Sequence, residues 1–574
     1  MRNFYVIESM KKFEELAYQR PDMEQFSRDF NTLLDRFEQS DSLEDQSTLL
    51  NEINQLRLTF SSMYNLCHIR HTVDTRDTRY EAENTFFDEN NPGFEALNNR
   101  FYELLLISPF RKELEAKWGD QLFVLAELSI KTFKPVILEN LQEENRLVSE
   151  YIKLKASAKI PFKDVEYNLS TLFVVETDPD RETRRAASEA KWKFFSDHAA
   201  KTEQIFDQQV AVRHEMAKAL GYHNFVEMAY ARMCRSDYDA EKVAVFRKQI
   251  ETHIVPIATG LYERQRKRLG LEKLKYYDEE FRYVSGNPKP KGTPEWIIEQ
   301  ADTMYRELSA DTEVFFKFMQ ENHLMNLVAQ EGKATGGYCT FIGEYKAPFI
   351  FSNFNGTSAD IDVLTHEAGH AFQMYLSRDH QLTEYNFPTY EACEIHSMSM
   401  EFFTWPWMHL FFGPDADKYK FAHLAAAIQF LPYGVAVDEF QHFVYENPEV
   451  TPAERNAAWR EIEKKYLPHR DYDGNAFLES GGFWQKQSHI FANPFYYIDY
   501  TLAQICAFQF WKKDREDHTS AWQDYIRLCK AGGSLPFLEL VSLANLRSPF
   551  EEGCVASVTG VIRDWLDEVD DSGF

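Results

Sequence analysis

The sequence predicts a mainly α fold with one small β-sheet placed just ahead of a polar helix. Three observations predict it. Apolar residues recur at helical spacing through 21–38, 42–70, 93–117, 119–157 and 180–220. Between residues 336 and 362 that pattern gives way to short aromatic runs with turn residues between them. The composition, 44% hydrophobic and 15% aromatic with 23 Gly and 21 Pro in 574 residues, is that of a folded chain large enough for several sub-domains.

Taken in order, residues 21–38 place Phe26, Phe30, Leu33, Leu34 and Phe37 on one stripe, behind Pro21, which suits a first helical turn. In TDPDRETRRAASEAKWKFF, Thr177 as cap, Pro179 and Asp180 together give a helix-start signal. SGNPKPKGTPEW (285–296) is the clearest cluster of breakers and reads as a surface loop. No internal repeat or low-complexity tract is present. Residues 1–180 carry no chemical motif and read as an N-terminal helical lobe; every motif falls in 181–574.

The chain carries a formal net charge of -28, which argues against nucleic acid and anionic membrane as partners, since both would be repelled. Seven scattered cysteines form no C-x-x-C pair, so neither a disulfide framework nor a thiolate metal site is predicted. MRNFYVIESMKKFEEL lacks the apolar stretch of a signal peptide, and no run of about 18 apolar residues occurs. The expected location is the cytoplasm.

In GGYCTFIGEYKAPFIFSNFNGTSADID, Tyr338–Ile342 and Phe349–Phe354 are β-prone, GEYK separates them and Asn355-Gly356 follows, which predicts a hairpin or small sheet. Thr357 and Asp360 have capping-box spacing, so a helix should start near residue 358. That helix carries DVLTHEAGHAFQMY, with H-E-x-x-H at His366, Glu367 and His370. Residues four apart share a helix face, so both imidazoles can reach one metal ion, with Asp362 one turn before them. Glu367 projects beside the histidines, where a general base would stand next to water, and Leu364, Ala368, Ala371, Phe372 and Tyr375 form an apolar back face. Catalytic zinc needs a third protein ligand and an open position. Positions 373 and 376 hold Gln and Leu, so the longer H-E-x-x-H-x-x-G-x-x-H pattern is absent. In FPTYEACEIHSMSMEFF, Glu391 lies near the helix start, where its charge has a structural reason. Glu394 and Glu401, seven apart, share a face. Glu394 is the expected ligand, Glu401 its supporting carboxylate, and His396 a packed or surface residue.

HEAGH followed by EIHSMSME resembles the thimet oligopeptidase family of zinc peptidases, in its bacterial oligoendopeptidase F-like (Pz-peptidase-like) branch. The resemblance extends through SHIFANPFYYIDY (488–500) and covers the chain from about residue 170 onward. It implies an elongated, two-lobed helical metallopeptidase with a deep substrate channel and a small β-sheet beside the zinc helix. It also implies one Zn2+ per chain at His366, His370 and Glu394, with Glu367 as base and Glu401 and Asp362 as supporting acids. The family's oxyanion-stabilising histidine falls on His489 and its tyrosine on Tyr500, while Tyr496 and Tyr497 compete for a second tyrosine role. The implied activity is zinc-dependent hydrolysis of internal bonds in short unstructured peptides. The small sheet further suggests that a peptide pairs in extended form with its edge around 347–354. Aminopeptidase or dipeptide-releasing carboxypeptidase action, and a non-catalytic peptide binder with a vestigial site, are the alternatives.

Overall fold

The computed structural model describes residues 11–574, which fold as a mainly α protein with two small sheets. Packing divides the described chain into two units, each discontinuous in sequence. The first comprises the residues up to Ile130 with Pro288–Ala416 and Gln509–Leu546; the second comprises Lys131–Asn287, Asp417–Phe508 and Arg547–Phe574. Residue 180, the division expected from motif content, falls inside the second unit.

The first unit opens with helices Met23–Gln39, Leu43–Val73, Thr78–Ile107 and Arg111–Trp118. The predicted stripe is the core: Phe30, Leu34 and Phe37 are buried with Ile53, Phe101 and Phe123, and Phe26 and Leu33 pack against them. Leu382 and Tyr385, from the loop ahead of residues 390–403, complete the same core. Arg57 fixes that loop by pairing with the buried Glu384 carboxylate at 2.6 Å. The N-terminal helices therefore anchor the segment that delivers Glu394, a role their sequence did not announce.

Local details of the helix starts differ from the sequence reading. Pro21 precedes the cap, and Asp22 accepts from the amides of Glu24 and Gln25. Thr177 ends helix Leu169–Glu176, and Asp180 caps the next, Arg181–Asp197, through the Thr183 amide. Residues 119–157 form two helices, Gln121–Thr132 and Leu138–Ala156, because Pro135 starts a tight turn between them. The 180–220 stretch is likewise two helices, broken at His198. Residues 285–292 are irregular, as the breakers predict, and Thr293 then caps a helix with Pro294 at its start. One stretch, Tyr390–Glu446, contains a window apolar enough to cross a membrane, and 67% of that window is buried. The seven cysteines are unbridged.

In the second unit a short hairpin pairs β1 (Ile160–Phe162) with β2 (Val165–Tyr167). The sheet of the first unit has three strands, β3 (Met325–Val328), β4 (Tyr338–Ile342) and β5 (Ala347–Phe354), in the order β3-β5-β4. β4 and β5 form the predicted antiparallel hairpin, with Tyr338 opposite Phe351 and Ile342 opposite Ala347. β3 adds in parallel on the other side of β5. β5 is therefore the central strand. The expectation that residues 347–354 offer a free edge to a peptide is wrong, because hydrogen bonds to β3 and β4 occupy both sides of β5; the edges belong to β3 and β4.

The helix Ala359–Ser377 follows β5 and starts where predicted, but without the predicted capping box. Asp360 instead turns its carboxylate back to the amides of Asn355 (2.9 Å) and Gly356 (2.8 Å), closing the strand-to-helix turn, while Thr357 bonds Asn355 Oδ1. The helix crosses Tyr390–Phe403 at very short range. A Cβ on Gly369 would lie 2.7 Å from the His396 carbonyl oxygen and from Ser397 Cα. Any side chain there would force the two helices apart.

Alanine ordinarily stabilises a helix interior relative to glycine by roughly 0.5–1 kcal/mol. At position 369 the sign reverses. Gly369→Ala should destabilise the protein by about 1–3 kcal/mol, the usual cost of overpacking, read as a lower midpoint in urea unfolding.

Candidate metal centre

Helix Ala359–Ser377 supplies His366, Glu367 and His370, and helix Tyr390–Phe403 supplies Glu394 and Glu401. The predicted apolar face is real: Leu364, Ala368, Ala371 and Phe372 are fully buried, and Tyr375 packs against Phe315 and Phe318. With that face in the core, the two histidines are held on the other side. Their Nε2 atoms lie 3.3 Å (His366) and 3.6 Å (His370) from Glu394 Oε2. His366, His370 and Glu394 offer ligand atoms within 4.8 Å of one another and form the metal-capable His/Cys/Asp/Glu cluster among the described residues. A tetrahedral zinc ion with bonds of about 2.1 Å separates its ligand atoms by about 3.4 Å. Two imidazoles and a carboxylate at these spacings fit zinc.

The surroundings orient these groups. His366 Nδ1 bonds Glu401 Oε1 at 2.7 Å, which fixes the proton on Nδ1 and leaves Nε2 free to ligate. The Ser397 hydroxyl lies 3.1 Å from both Glu394 Oε2 and the Glu394 backbone carbonyl and shares its one proton between them. This hydroxyl, one turn after its partner, is a contributor the sequence reading did not single out. Asp362 lies partly exposed in the first turn, one turn before His366. Glu391 is buried in the first turn of its helix, and His396 is fully buried against Tyr525, as a packed histidine should be. Burial pushes the His396 imidazole down to about 3, so it stays neutral.

The carboxylates differ in what their surroundings do to them. Burial works against a charged Glu394, but hydrogen bonds from both imidazoles outweigh it and hold its pKa well below the ordinary value. Burial also opposes a positive His366, yet its bonds to Glu394 and Glu401 hold its pKa well above the ordinary value. A field that favours a proton on that ring also favours a metal cation. Glu367 is the opposite case: burial raises its pKa, and the neighbouring imidazoles only partly offset this. Its Oε2 is buried with no hydrogen-bond partner among the described residues. The other oxygen borders the sheet, since a Cβ on Gly337, just before β4, would lie 3.7 Å from Glu367 Oε1.

In the second unit, His489 sits in the short helix Ser488–Ala492, and Tyr497 and Tyr500 in Tyr497–Glu516. The structure brings the predicted aromatic residues together. The His489 ring is 5.8 Å from Tyr496, 4.9 Å from Tyr497 and 6.1 Å from Tyr500, centroid to centroid. The start of the Tyr500 helix is held by Arg235, buried and paired with Asp499 at 2.6 Å.

A profile of the Peptidase M3 N-terminal domain matches residues 13–133, and one of Peptidase family M3 matches residues 174–559. The first match extends the resemblance into the helices that lack chemical motifs. The oligoendopeptidase F homolog of Borreliella burgdorferi is 22% identical over 440 residues, which is 71% of this chain and 70% of that protein. Oligopeptidase PepF of Bacillus subtilis is 22% identical over 410 residues, 68% of this chain but only 58% of PepF. Among solved structures, PZ peptidase A with an inhibitor is 61% identical, with a TM-score of 0.92 over 98% of this chain and 100% of that one. A Bacillus anthracis protein provisionally assigned as oligoendopeptidase F is 54% identical, with a TM-score of 0.88 over 98% of this chain and 99% of that one. The family profile spans well over half of the sequence, and on that ground the chain belongs to peptidase family M3.

Proposed function

We propose that this peptidase is a zinc-dependent endopeptidase of short unstructured oligopeptides, in the manner that the names of its relatives suggest. The observation that carries the reading is the convergence of His366, His370 and Glu394 within 4.8 Å, beside a buried Glu367 oxygen with no partner among the described residues. Zinc at these three ligands would supply Lewis acidity toward a carbonyl and toward water.

The chain's own residues do the rest. Glu401 holds the His366 ring in its ligating tautomer, and Ser397 steadies the Glu394 carboxylate. Glu367 takes the proton of the attacking water and returns it to the leaving amine. Its raised pKa brings the carboxylate closer to neutrality, where a group that must both accept and release a proton works best. The peptide is proposed to lie extended along β4 rather than β5. β4 is an edge strand, and its start at Gly337 borders Glu367. The far end of that edge is taken, since Asn65 donates to the Phe341 carbonyl at 2.8 Å. That leaves Tyr338–Thr340 for main-chain pairing. His489 and Tyr500 are proposed to donate to the oxyanion, with Tyr497 or Tyr496 assisting and Asp362 supporting the metal ligands.

Glu367→Gln should keep metal content and unfolding midpoint while lowering kcat by about 10²–10⁴, the usual worth of a positioned acid–base group. Wild-type turnover in that variant would rule out Glu367 as the base. Glu401→Gln should weaken zinc binding by about 10–100-fold, as loss of a carboxylate behind a ligating histidine does, measured by competition with a chromogenic chelator. Peptides blocked at both ends should be cleaved internally, and mass spectrometry of the products reads this directly. An aminopeptidase or dipeptide-releasing carboxypeptidase would leave them intact, and a vestigial site would cleave nothing.

A further inference from the structure

His489 has a second-neighbour hydrogen-bond chain that bears on which of its nitrogens carries the proton. The Tyr433 hydroxyl donates to Gln487 Oε1 at 2.8 Å, and Gln487 Nε2 lies 2.8 Å from His489 Nδ1. Gln487 is 9% exposed, so water does not readily replace either bond. A carboxamide can be read in two orientations, which have opposite consequences for the imidazole. If its oxygen faced His489, the amide nitrogen would donate to the phenol, and the phenol proton would have no acceptor among the described residues. With the oxygen toward Tyr433, both bonds are made and no donor is wasted. The nitrogen facing His489 is then a donor, and Nδ1 must accept. A neutral imidazole accepting at Nδ1 carries its proton on Nε2.

We infer that Gln487, locked by Tyr433, is a positioning residue that holds His489 in the Nε2–H tautomer, so that Nε2 is the nitrogen able to donate to a developing oxyanion. This inference rests on the proposed role of His489. Other groups facing the ring are compatible with it. Lys155, whose ammonium donates to Ser488 Oγ at 2.7 Å, approaches from the helix Leu138–Ala156, and Tyr496, Tyr497 and Tyr500 supply the remaining neighbours. Burial, and then the charge of Lys155, lower the His489 pKa, so the ring is neutral at neutral pH. A neutral ring has one proton to place, and the amide decides where it goes.

The test compares wild type with Gln487→Glu, which exchanges the amide NH2 for an oxygen at constant shape, and with Tyr433→Phe. Two-bond 1H–15N correlation spectra of the histidine side chains, with His489→Ala to assign the signal, read the tautomer in the intact protein without reference to activity. The expected wild-type pattern is a neutral ring protonated at Nε2. In Gln487→Glu it should change to a ring protonated at Nδ1 or at both nitrogens, and in Tyr433→Phe to a mixture. The kinetic reading for Gln487→Glu is a fall in kcat of about 10²-fold where the ring is neutral with its proton on Nδ1, comparable to losing one oxyanion donor, with KM little changed. Toward acid pH, where the ring carries both protons and Nε2 donates again, kcat should recover. A wild-type ring protonated at Nδ1, or an unchanged His489 spectrum and pH profile in Gln487→Glu, would overturn the inference. Full activity in His489→Ala would instead overturn the underlying role of His489, even if the spectra give the tautomer inferred here. The two failures are therefore distinguishable.

Discussion

The candidate metal centre depends on one contact, the crossing of two helices at Gly369. The absent side chain lets the His396 carbonyl and Ser397 Cα approach to where a Cβ would stand 2.7 Å away. Gly369 immediately precedes His370, and Ser397 follows Glu394 by one turn. The contact therefore sets His370 against the helix of Glu394, whose Oε2 lies 3.3 and 3.6 Å from the two imidazoles. The buried residues behind the His-Glu helix resist rotation about its axis. The core of the N-terminal helices, through Leu382 and Tyr385, holds the loop from which the Glu394 helix starts.

Within that frame three carboxylates serve different ends because their neighbours differ. Glu394 faces two imidazoles and stays ionised despite its burial. Glu401 faces the far nitrogen of one imidazole and fixes its proton. Glu367 is buried with less compensation, and its affinity for a proton rises. The proposed division of three acids and two histidines into ligand, support and base follows these environments. The same logic applies around His489, where a neutral amide rather than a carboxylate faces Nδ1. A carboxylate there would favour a charged ring, whereas an amide leaves a neutral one with its proton placed.

Much of this was legible in the sequence wherever the determinants are local. The His366/His370 spacing, the apolar back face and the shared face of Glu394 and Glu401 all follow from helical periodicity, and the two strands from alternation and turn residues. Where the sequence misled, a long-range partner outweighed a local signal. β3 is only four residues long, and its parallel pairing with β5 leaves no local trace, so the supposed edge strand proved to be central. Asp360 had the spacing of a capping box, but two amides of the preceding turn offered its carboxylate better bonds than the cap did. Nothing in the first 130 residues pointed to the metal site, because their contribution is a core and the Arg57–Glu384 pair, over 300 positions apart. Tyr433 and Gln487, 54 residues apart, likewise meet only in the folded protein.

The proposed chemistry requires a single zinc ion held by His366, His370 and Glu394. X-ray absorption at the zinc edge of the purified, zinc-loaded enzyme tests it most directly, with Glu394→Gln as the comparison. The expected result is one zinc per chain with a nitrogen and oxygen shell at about 2.0–2.2 Å, two imidazole contributions, no sulfur, and loss of the carboxylate contribution in the variant. A sulfur shell, fewer than two imidazoles, or an unchanged spectrum in Glu394→Gln would contradict it.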